Sequence, residues 1–268
     1  MMVSSLNTNG TMGLCPIGGL STVNEVNWNF TLHTMNSDVY HGTIYKKNSS
    51  VHLSASQDLI KASPEECVAV LDFCPNSVSD LLELGISVGD IIAPCPNFKM
   101  SKNGYIQTRF LDDKGSVAVL LTMLLSIKQS ALNLNRDIDF YFTAFEETGH
   151  GASVLPDDAC DIIAIEIAPV ENKQTMSEHK IIISPRFGSI LSNRELTKEL
   201  VICAQKNNID YELDVLKSGG TDCNSGIIAG YDVRHTIVGF GTSASHGYER
   251  THIDSIECLY NLLMNYIS

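Results

Sequence analysis

The pattern of apolar residues changes near residue 100, and this change constrains the fold more than any other feature of the chain. Before it, short mixed stretches of apolar and polar residues are broken by Asn, Gly and Ser, which is typical of a β-rich module. After it, apolar strands alternate with segments of helical length, which favours an α/β domain. We therefore predict two domains, a β-rich module over 1–100 and a larger α/β domain over 101–268.

The predicted elements follow this division. In the module, strands are predicted at Trp28–Thr34, Asp38–Lys46 and Ser50–Leu53, and a helix near Ser77–Leu84 that ends at Gly85. In the second domain, the predicted strands are Asp137–Phe145, Asp161–Ala168, Ile181–Ser184, Tyr211–Val215 and Arg234–Phe240. The predicted helices run from Asp112-Asp113-Lys114-Gly115 to about Gln129, from a capping box at Ser192-x-x-Glu195 to about Lys206, and over Asp254–Ile267.

Composition excludes several classes of protein. The 268 residues carry 18 basic and 31 acidic side chains, a net charge of −13 that repels phosphate backbones, so we expect no nucleic-acid partner. The longest apolar run, Val117–Ile127, is too short to cross a bilayer, and Met1–Ser5 lacks the features of a signal peptide. We therefore predict a cytoplasmic protein without a membrane partner. Its eight cysteines form no C-x-x-C pair and are expected to be reduced and mostly buried.

Two adjacent acids, Glu146 and Glu147, follow the predicted strand that ends at Phe145. Neighbouring carboxylates repel each other, and a buried pair is unfavourable unless a cation lies nearby. With a bound metal, one acid can ligate the ion while the other takes and returns protons. The alternative is a pair of exposed loop acids. The pair therefore indicates, but does not establish, a metal centre at the end of a strand.

Three further residues fall where the carboxyl ends of strands are expected to meet. Asp112 precedes a predicted helix, Glu166 lies in the apolar run Ile162–Ala168, and His246 follows a predicted strand. Each has a simpler explanation, since Asp112 could cap the helix, Glu166 could pair with a base and His246 could be structural. Together with the acid pair, they supply carboxylate and imidazole ligands suited to zinc, manganese or cobalt.

Four segments carry a resemblance to a known family: Arg109-Phe110-Leu111-Asp112-Asp113-Lys114, Phe145-Glu146-Glu147-Thr148-Gly149-His150-Gly151-Ala152, Gly219-Gly220-Thr221-Asp222 and Ser245-His246-Gly247-Tyr248-Glu249-Arg250-Thr251-His252. In order and spacing they resemble the di-metal aminopeptidases of the glutamyl-aminopeptidase and TET (tetrahedral aminopeptidase) type. The resemblance implies a zinc-peptidase-like mixed sheet sandwiched by helices. It also implies that the module is PDZ-like and mediates contacts in a homo-oligomer, from a dimer up to a dodecamer.

The resemblance also implies a role for each candidate residue. Asp112 would bridge two divalent metal ions, zinc being the first choice and cobalt or manganese the others. Glu147 and His246 would complete one metal site, and Glu166 would ligate the second metal at a position where the family usually has aspartate. Glu146 would act as the general base for a metal-bound hydroxide that hydrolyses N-terminal residues from peptide substrates. Asp222 would support the site without ligating a metal.

One family motif has no counterpart in the sequence. The family's catalytic domain starts before the module with a His-x-Asp segment, whose histidine ligates the second metal, whereas Met1–Asn7 resembles the strand that follows it. His33, His41 and His52 lie in the module without matching context. We therefore expect a weakened second metal site and an uncovered apolar surface, with reduced stability or a partner that supplies the missing portion. The alternative function is a non-catalytic or split-enzyme remnant.

Overall fold

Two units make up the structure, a computed structural model: Met1–Pro96 and Asn97–Ser268. It describes residues 1–19, 28–47, 50, 52, 66–130, 132, 134–171 and 175–268. Of the predicted strand at Ser50–Leu53, Val51 and Leu53 lie outside these described residues, so this prediction is not tested.

The first unit is a closed barrel of six antiparallel strands. They are β1 (Met2–Leu6), β2 (Met12–Cys15), β3 (Trp28–His33), β4 (Val39–Lys46), β5 (Cys67–Leu71) and β6 (Ile91–Pro94). Their order is β1-β2-β5-β4-β3-β6, and pairing of β6 with β1 closes the barrel. Along β3, buried Trp28, Phe30 and Leu32 alternate with more exposed neighbours, as expected for a strand with one face in a core. The strands predicted at 28–34 and 38–46 are confirmed.

A short helix, α1 (Val78–Glu83), completes the first unit and confirms the helix predicted there. Ser77 is its N-cap, and Gly85 follows it with a φ of +74°, a conformation that glycine adopts without the steric cost of a Cβ. The PDZ-like character of the barrel and its role in oligomer contacts stay predictions.

The second unit is built on a mixed sheet. Its strands are β7 (Lys99–Met100), β8 (Tyr105–Thr108), β9 (Asp161–Pro169), β10 (Ile181–Phe187), β11 (Ile190–Leu191), β12 (Tyr211–Leu216), β13 (Arg234–Thr242) and β14 (Glu249–His252). The main sheet has the order β11-β10-β13-β9, with β12 parallel to β10. β9 and β13 are parallel, β10 and β13 are antiparallel, and β14-β8-β7 form a separate small sheet.

Four helices accompany this sheet: α2 (Leu111–Ser130), α3 (Arg194–Lys206), α4 (Asp222–Ile228) and α5 (Ile253–Ile267). Apolar residues of α2, α3 and α5 share one core with β10 and β13, in which Phe240, Leu200 and Leu259 are fully buried. The helices predicted for α2, α3 and α5 and the strands predicted for β9, β10, β12 and β13 are confirmed. No helix within the described ranges is both long and apolar enough to cross a membrane.

The strand predicted at Asp137–Phe145 is wrong, because the structure has no strand there. A strand requires a neighbour to complete its ladder of backbone hydrogen bonds, and the described residues offer this segment none. The expected alternation of its side chains holds only in the first part of the segment. Ile138 and Phe140 pack against the core, whereas Tyr141 and Phe142 are exposed.

Two smaller predictions are also corrected. Asn193, not Ser192, caps α3, because its side chain accepts a hydrogen bond from Leu196 N (3.0 Å), while Ser192 donates to the carbonyl of Ser184. The eight cysteines, all of them described, form no disulfide, and only Cys67 and Cys223 among them are buried, whereas most were expected to be.

Candidate metal centre

Asp112 lies at the start of α2, where the backbone departs from helical geometry. Asp112 and Asp113 both have non-helical φ and ψ angles, and the peptide bond between them is cis. Asp113 accepts a hydrogen bond from Ser116 N (3.4 Å), so it caps the regular part of the helix. Asp112 is therefore not needed as the cap, and its carboxylate is available for another role.

Glu146 and Glu147 open a single 3₁₀ turn, Glu146–Thr148. Gly149 ends the turn in the left-handed region (φ +79°) and donates its N–H to the carbonyl of Glu146. Burial, followed by repulsion from Glu147 and Asp222, raises the pKa of Glu146 to about 7. Desolvation and the charge of Asp112 also raise the pKa of Glu147, although this side chain keeps an exposed edge. The turn thus presents two carboxylates side by side, both biased toward protonation.

His246 follows β13 and has a φ of +61°. This conformation is uncommon for residues other than glycine and often marks a constrained functional position. Its Nε2 lies 3.3 Å from Asp112 Oδ2. The left-handed turn therefore places the His246 imidazole within hydrogen-bonding distance of the Asp112 carboxylate.

Asp112, Glu147 and His246 form one group, and each offers a ligand atom within 4.8 Å of the other two. Carboxylate oxygens and imidazole nitrogens are both ligands that zinc takes. The surrounding acids, Glu146 and Glu166, add negative charge that a bound cation would offset. The residues present therefore fit a divalent metal ion.

Glu166 lies in β9 and is almost fully buried. Burial raises its pKa well above the usual value, and repulsion from Asp113, Glu146 and Asp112 adds to that effect. Glu166 therefore shares the electrostatic environment of the site. It does not join the group of three ligands that the described residues form.

Asp222 begins α4 and accepts a hydrogen bond from Thr143 Oγ1 (2.6 Å). Its other carboxylate oxygen is buried without a hydrogen-bond partner in the described part of the chain. Asp222 is also among the charges that raise the pKa of Glu146. It thus joins the segment before the acid pair to α4 and contributes to the negative potential of the site.

Glu249 is a residue of the site whose role the sequence did not indicate. It is buried, and its two oxygens accept hydrogen bonds from the backbone N–H groups of Asp112 (3.2 Å) and His246 (3.1 Å). Burial raises its pKa to about 7. In the sequence, Glu249 could be noticed only because it lies three residues after His246, within a motif assigned to metal binding. That position gives no indication of its contacts with backbone N–H groups.

Comparison with known proteins identifies the family. The model of the M42 glutamyl aminopeptidase family matches residues 1–262. The chain is 31% identical over 268 residues to "Putative aminopeptidase YhfE" of Bacillus subtilis (strain 168), a match that covers 99% of this chain and 77% of that protein. The chain therefore belongs to the M42 glutamyl aminopeptidase family, as its motifs predicted.

Solved structures show the same fold. The TET aminopeptidase of the marine sediment archaeon Thaumarchaeota archaeon SCGC AB-539-E09 superposes with a TM-score of 0.83 at 18% identity, over 99% of this chain and 77% of that one. The TET1 peptidase of Pyrococcus horikoshii, which can assemble into a tetrahedron or a large octahedral shell, gives 0.82 at 19% identity, over 98% and 78%. The mixed α/β fold is thus that of TET aminopeptidases.

Proposed function

We propose that the chain is a metal-dependent aminopeptidase that removes N-terminal residues from peptides. The observation that carries this proposal is the convergence of Asp112, Glu147 and His246 beside Glu146, in a member of the M42 family. Metal ligands and a separate carboxylate able to carry a proton are the parts that metal-assisted hydrolysis requires.

We assign the metal ligands as the sequence predicted. Asp112, Glu147 and His246 would hold one divalent ion, and Asp112 and Glu166 would contribute to a second, with zinc, cobalt or manganese as the candidates. When bound, such ions lower the pKa of water and polarise the scissile carbonyl. Because only Asp112 and Glu166 are proposed as ligands of the second ion, we expect that ion to bind more weakly.

Glu146 is the proposed general base. Its carboxyl group lies beside the ligands, and its raised pKa of about 7 reflects burial among other acids. A base with a pKa near the working pH can both accept and release a proton. Glu146 would take a proton from the attacking water and pass it to the amine that leaves when the peptide bond breaks.

The experiment that tests this assignment compares two conservative variants of the site. We expect Glu146→Gln to retain the bound metal but lose about 10²–10⁴-fold in peptide hydrolysis. His246→Gln should lose the ion that His246 ligates and the activity. Glu195→Gln, on the exposed first turn of α3, is the control and should resemble the wild type. Unchanged hydrolysis by Glu146→Gln in an active preparation would rule out the proposed base.

A non-catalytic or split-enzyme remnant is the second candidate. It is favoured by the segment 137–145, which has no ladder partner among the described residues. Metal analysis after saturation with zinc separates the two candidates. Two ions per chain that the Asp112→Asn variant no longer binds, together with turnover, would exclude the remnant, whereas a zinc content that Asp112→Asn leaves unchanged would exclude the enzyme.

We also propose that the protein forms a homo-oligomer. The ability of Pyrococcus horikoshii TET1 to form shells supports a homo-oligomer here, which light scattering coupled to size-exclusion chromatography would measure. A cytoplasmic location stays a prediction from the sequence.

A further inference from the structure

A second cluster of potential ligands lies apart from the residues assigned to catalysis. His179 precedes β10, His252 ends β14, and Asp254 lies in the first turn of α5. Asp254 Oδ2 is 2.8 Å from His179 Nδ1 and 3.1 Å from His252 Nδ1. All three ligand atoms lie within 4.8 Å of one another. Two segments distant in sequence, one carrying His179 and the other His252 and Asp254, thus direct two imidazole nitrogens and one carboxylate oxygen to the same point.

The second ring nitrogen of each imidazole, Nε2, also has a hydrogen-bond partner. His252 Nε2 lies 2.6 Å from the carbonyl oxygen of Asn103, an acceptor only, so Nε2 carries the proton and Nδ1 presents a lone pair. His179 Nε2 lies 3.3 Å from the hydroxyl of Tyr105. Histidines that bind metals generally have their second nitrogen fixed by an oxygen in this way, which sets both the tautomer and the ring orientation.

The distances suit a tetrahedral ion after a small opening of the cluster. Two ligand atoms bound to tetrahedral zinc lie roughly 3.3 Å apart, given bonds of about 2.0–2.1 Å. The separations of 2.8 and 3.1 Å are slightly shorter. His252 Nδ1 also accepts a weak hydrogen bond from Asp254 N (3.2 Å), which a metal would displace.

The cluster has one buried side and one open side. The side chain of His252 is 10% exposed, whereas those of His179 and Asp254 are 45% and 53% exposed. His179 and Tyr105 also line a cleft of about 690 Å³. An ion could therefore enter from solvent, and water could complete a coordination shell that has three protein ligands.

The loop that carries His179 is already positioned by other contacts. The carboxylate of Glu178 accepts two hydrogen bonds from Arg250 on β14, at 2.8 and 2.9 Å. Any side chain at Gly241 would collide with the carbonyl of Ser177, so β13 packs directly against this loop. Because these contacts fix the loop beside α5, little ordering is needed to bring the three ligands around an ion.

We propose that His179, His252 and Asp254 form an additional divalent metal site, of the type that binds zinc, which joins the loop before β10 to the start of α5. This site does not depend on the proposed catalytic function. A bound ion would stabilise the folded chain in proportion to its concentration relative to the dissociation constant. The competing explanation is a cluster held only by hydrogen bonds, with a proton between Asp254 and each histidine.

Cobalt(II) titration of the metal-free full chain tests the proposal. We expect His179→Gln to bind one ion fewer per chain than the wild type and to lose its share of the cobalt absorption typical of tetrahedral sites. Asp254→Asn, which keeps the shape of the ligand, should lose the same ion. His41→Gln, which removes an exposed histidine of β4, is the matched control and should lose none.

A second measurement separates ligand loss from misfolding. The metal-free melting temperatures of His179→Gln and wild type should agree, while the rise caused by added zinc should be smaller in the variant. His246→Gln should lose a different ion, so that the double variant loses both. Equal stoichiometry and affinity in His179→Gln and wild type would overturn the proposal, even if the catalytic site proved correct.

Discussion

The carboxylate of Glu249 accepts a hydrogen bond from the backbone N–H of Asp112, and its second oxygen accepts one from His246 N. One buried side chain thus fixes the backbones of two proposed ligands. In Glu249→Gln, the amide NH₂ would face a backbone donor, so one of these hydrogen bonds is lost. We expect metal affinity to fall about 10- to 100-fold, as for other groups that orient ligands, with loss of hydrolysis at limiting metal.

Competition between the protein and a chelator measures this affinity. Glu195→Gln, on the exposed surface of α3, is the matched control and should not alter it. Excess metal should restore part of the activity of Glu249→Gln, since the ligands themselves remain. Wild-type affinity in Glu249→Gln would show that these hydrogen bonds do not position the site.

Side-chain type alone was enough to single out residues that the structure brings together, but it could not reveal contacts made with backbone groups. Asp112, Glu147 and His246 were singled out because their side chains suit metal binding, and they lie within 4.8 Å of one another; their role as ligands stays a prediction. Glu249 was not given a role, since its partners are two backbone N–H groups that any residue carries. The position of Glu166 in an apolar strand was predicted correctly, and its absence from the group of Asp112, Glu147 and His246 agrees with its assignment to a second metal, which stays a prediction.

The same limit explains the errors in the fold. The alternation of Ile138, Phe140 and Phe142 in Asp137–Phe145 predicted that these three face the core; Ile138 and Phe140 do so, but Phe142 is exposed. Alternation cannot supply a neighbouring strand, and the described residues provide none for this segment. By contrast, β9 and β13 were predicted correctly and pair along their whole length, so their apolar runs have the partners that a buried strand requires.

Gly239 allows the close approach of β13 and β9 beside Glu166. A Cβ at this position would lie 2.6 Å from the carbonyl oxygen of Glu166 and 2.9 Å from its carbonyl carbon. Because backbone atoms of a central strand cannot move aside cheaply, we expect Gly239→Ala to lower the free energy of unfolding by about 1–3 kcal/mol. Urea unfolding followed by circular dichroism measures this change.

Gly220→Ala is the control for that experiment, because a Cβ there meets nothing within 4 Å. Its stability should be unchanged or slightly higher, since alanine restricts the unfolded chain more than glycine does. Equal stabilities of the two variants would show that the strands can separate enough to accept a methyl group.

Helix α2 carries apolar residues on two faces. Met123 is 3% exposed in the core, whereas Leu125 is 58% exposed on the other side, close to the exposed Leu121. A helix with apolar residues all round is normally buried on every side. We expect Met123→Ala to lower the free energy of unfolding by about 2–5 kcal/mol and Leu125→Ala by less than about 1 kcal/mol.

Chemical denaturation of both variants, at several protein concentrations, measures this contrast. Leu125→Ala should also bind less of an apolar fluorescent dye than the wild type does. If Leu125→Ala lowered the free energy of unfolding as much as Met123→Ala does, the face of α2 that carries Leu125 would not be uncovered.

Ser77 and Asp80 form a reciprocal cap at the start of α1. Ser77 Oγ accepts from Asp80 N (3.1 Å) and donates to Asp80 Oδ1 (2.8 Å), while Asp80 Oδ2 accepts from Asn76 N (2.7 Å). Loss of such a cap costs about 1 kcal/mol, so Ser77→Ala should destabilise the barrel unit by that amount. The single tryptophan, Trp28, is buried in β3 and reports this unfolding. Ser79→Ala, in the same turn but exposed, is the control.

The contribution of Asp80 should depend on pH. The backbone N–H of Asn76, and then the hydroxyl of Ser77, lower the pKa of Asp80 below its ordinary value of 3.8. Because the unfolded chain then binds the proton more tightly, this stabilisation is present above pH 3.8 and is lost as the pH falls through the lower folded-state value. Asp80→Asn should therefore be less stable than the wild type at pH 7, and the difference should shrink as the pH falls below 3.8. A difference that stays constant down to pH 3 would show that the charge of Asp80 does not stabilise the cap.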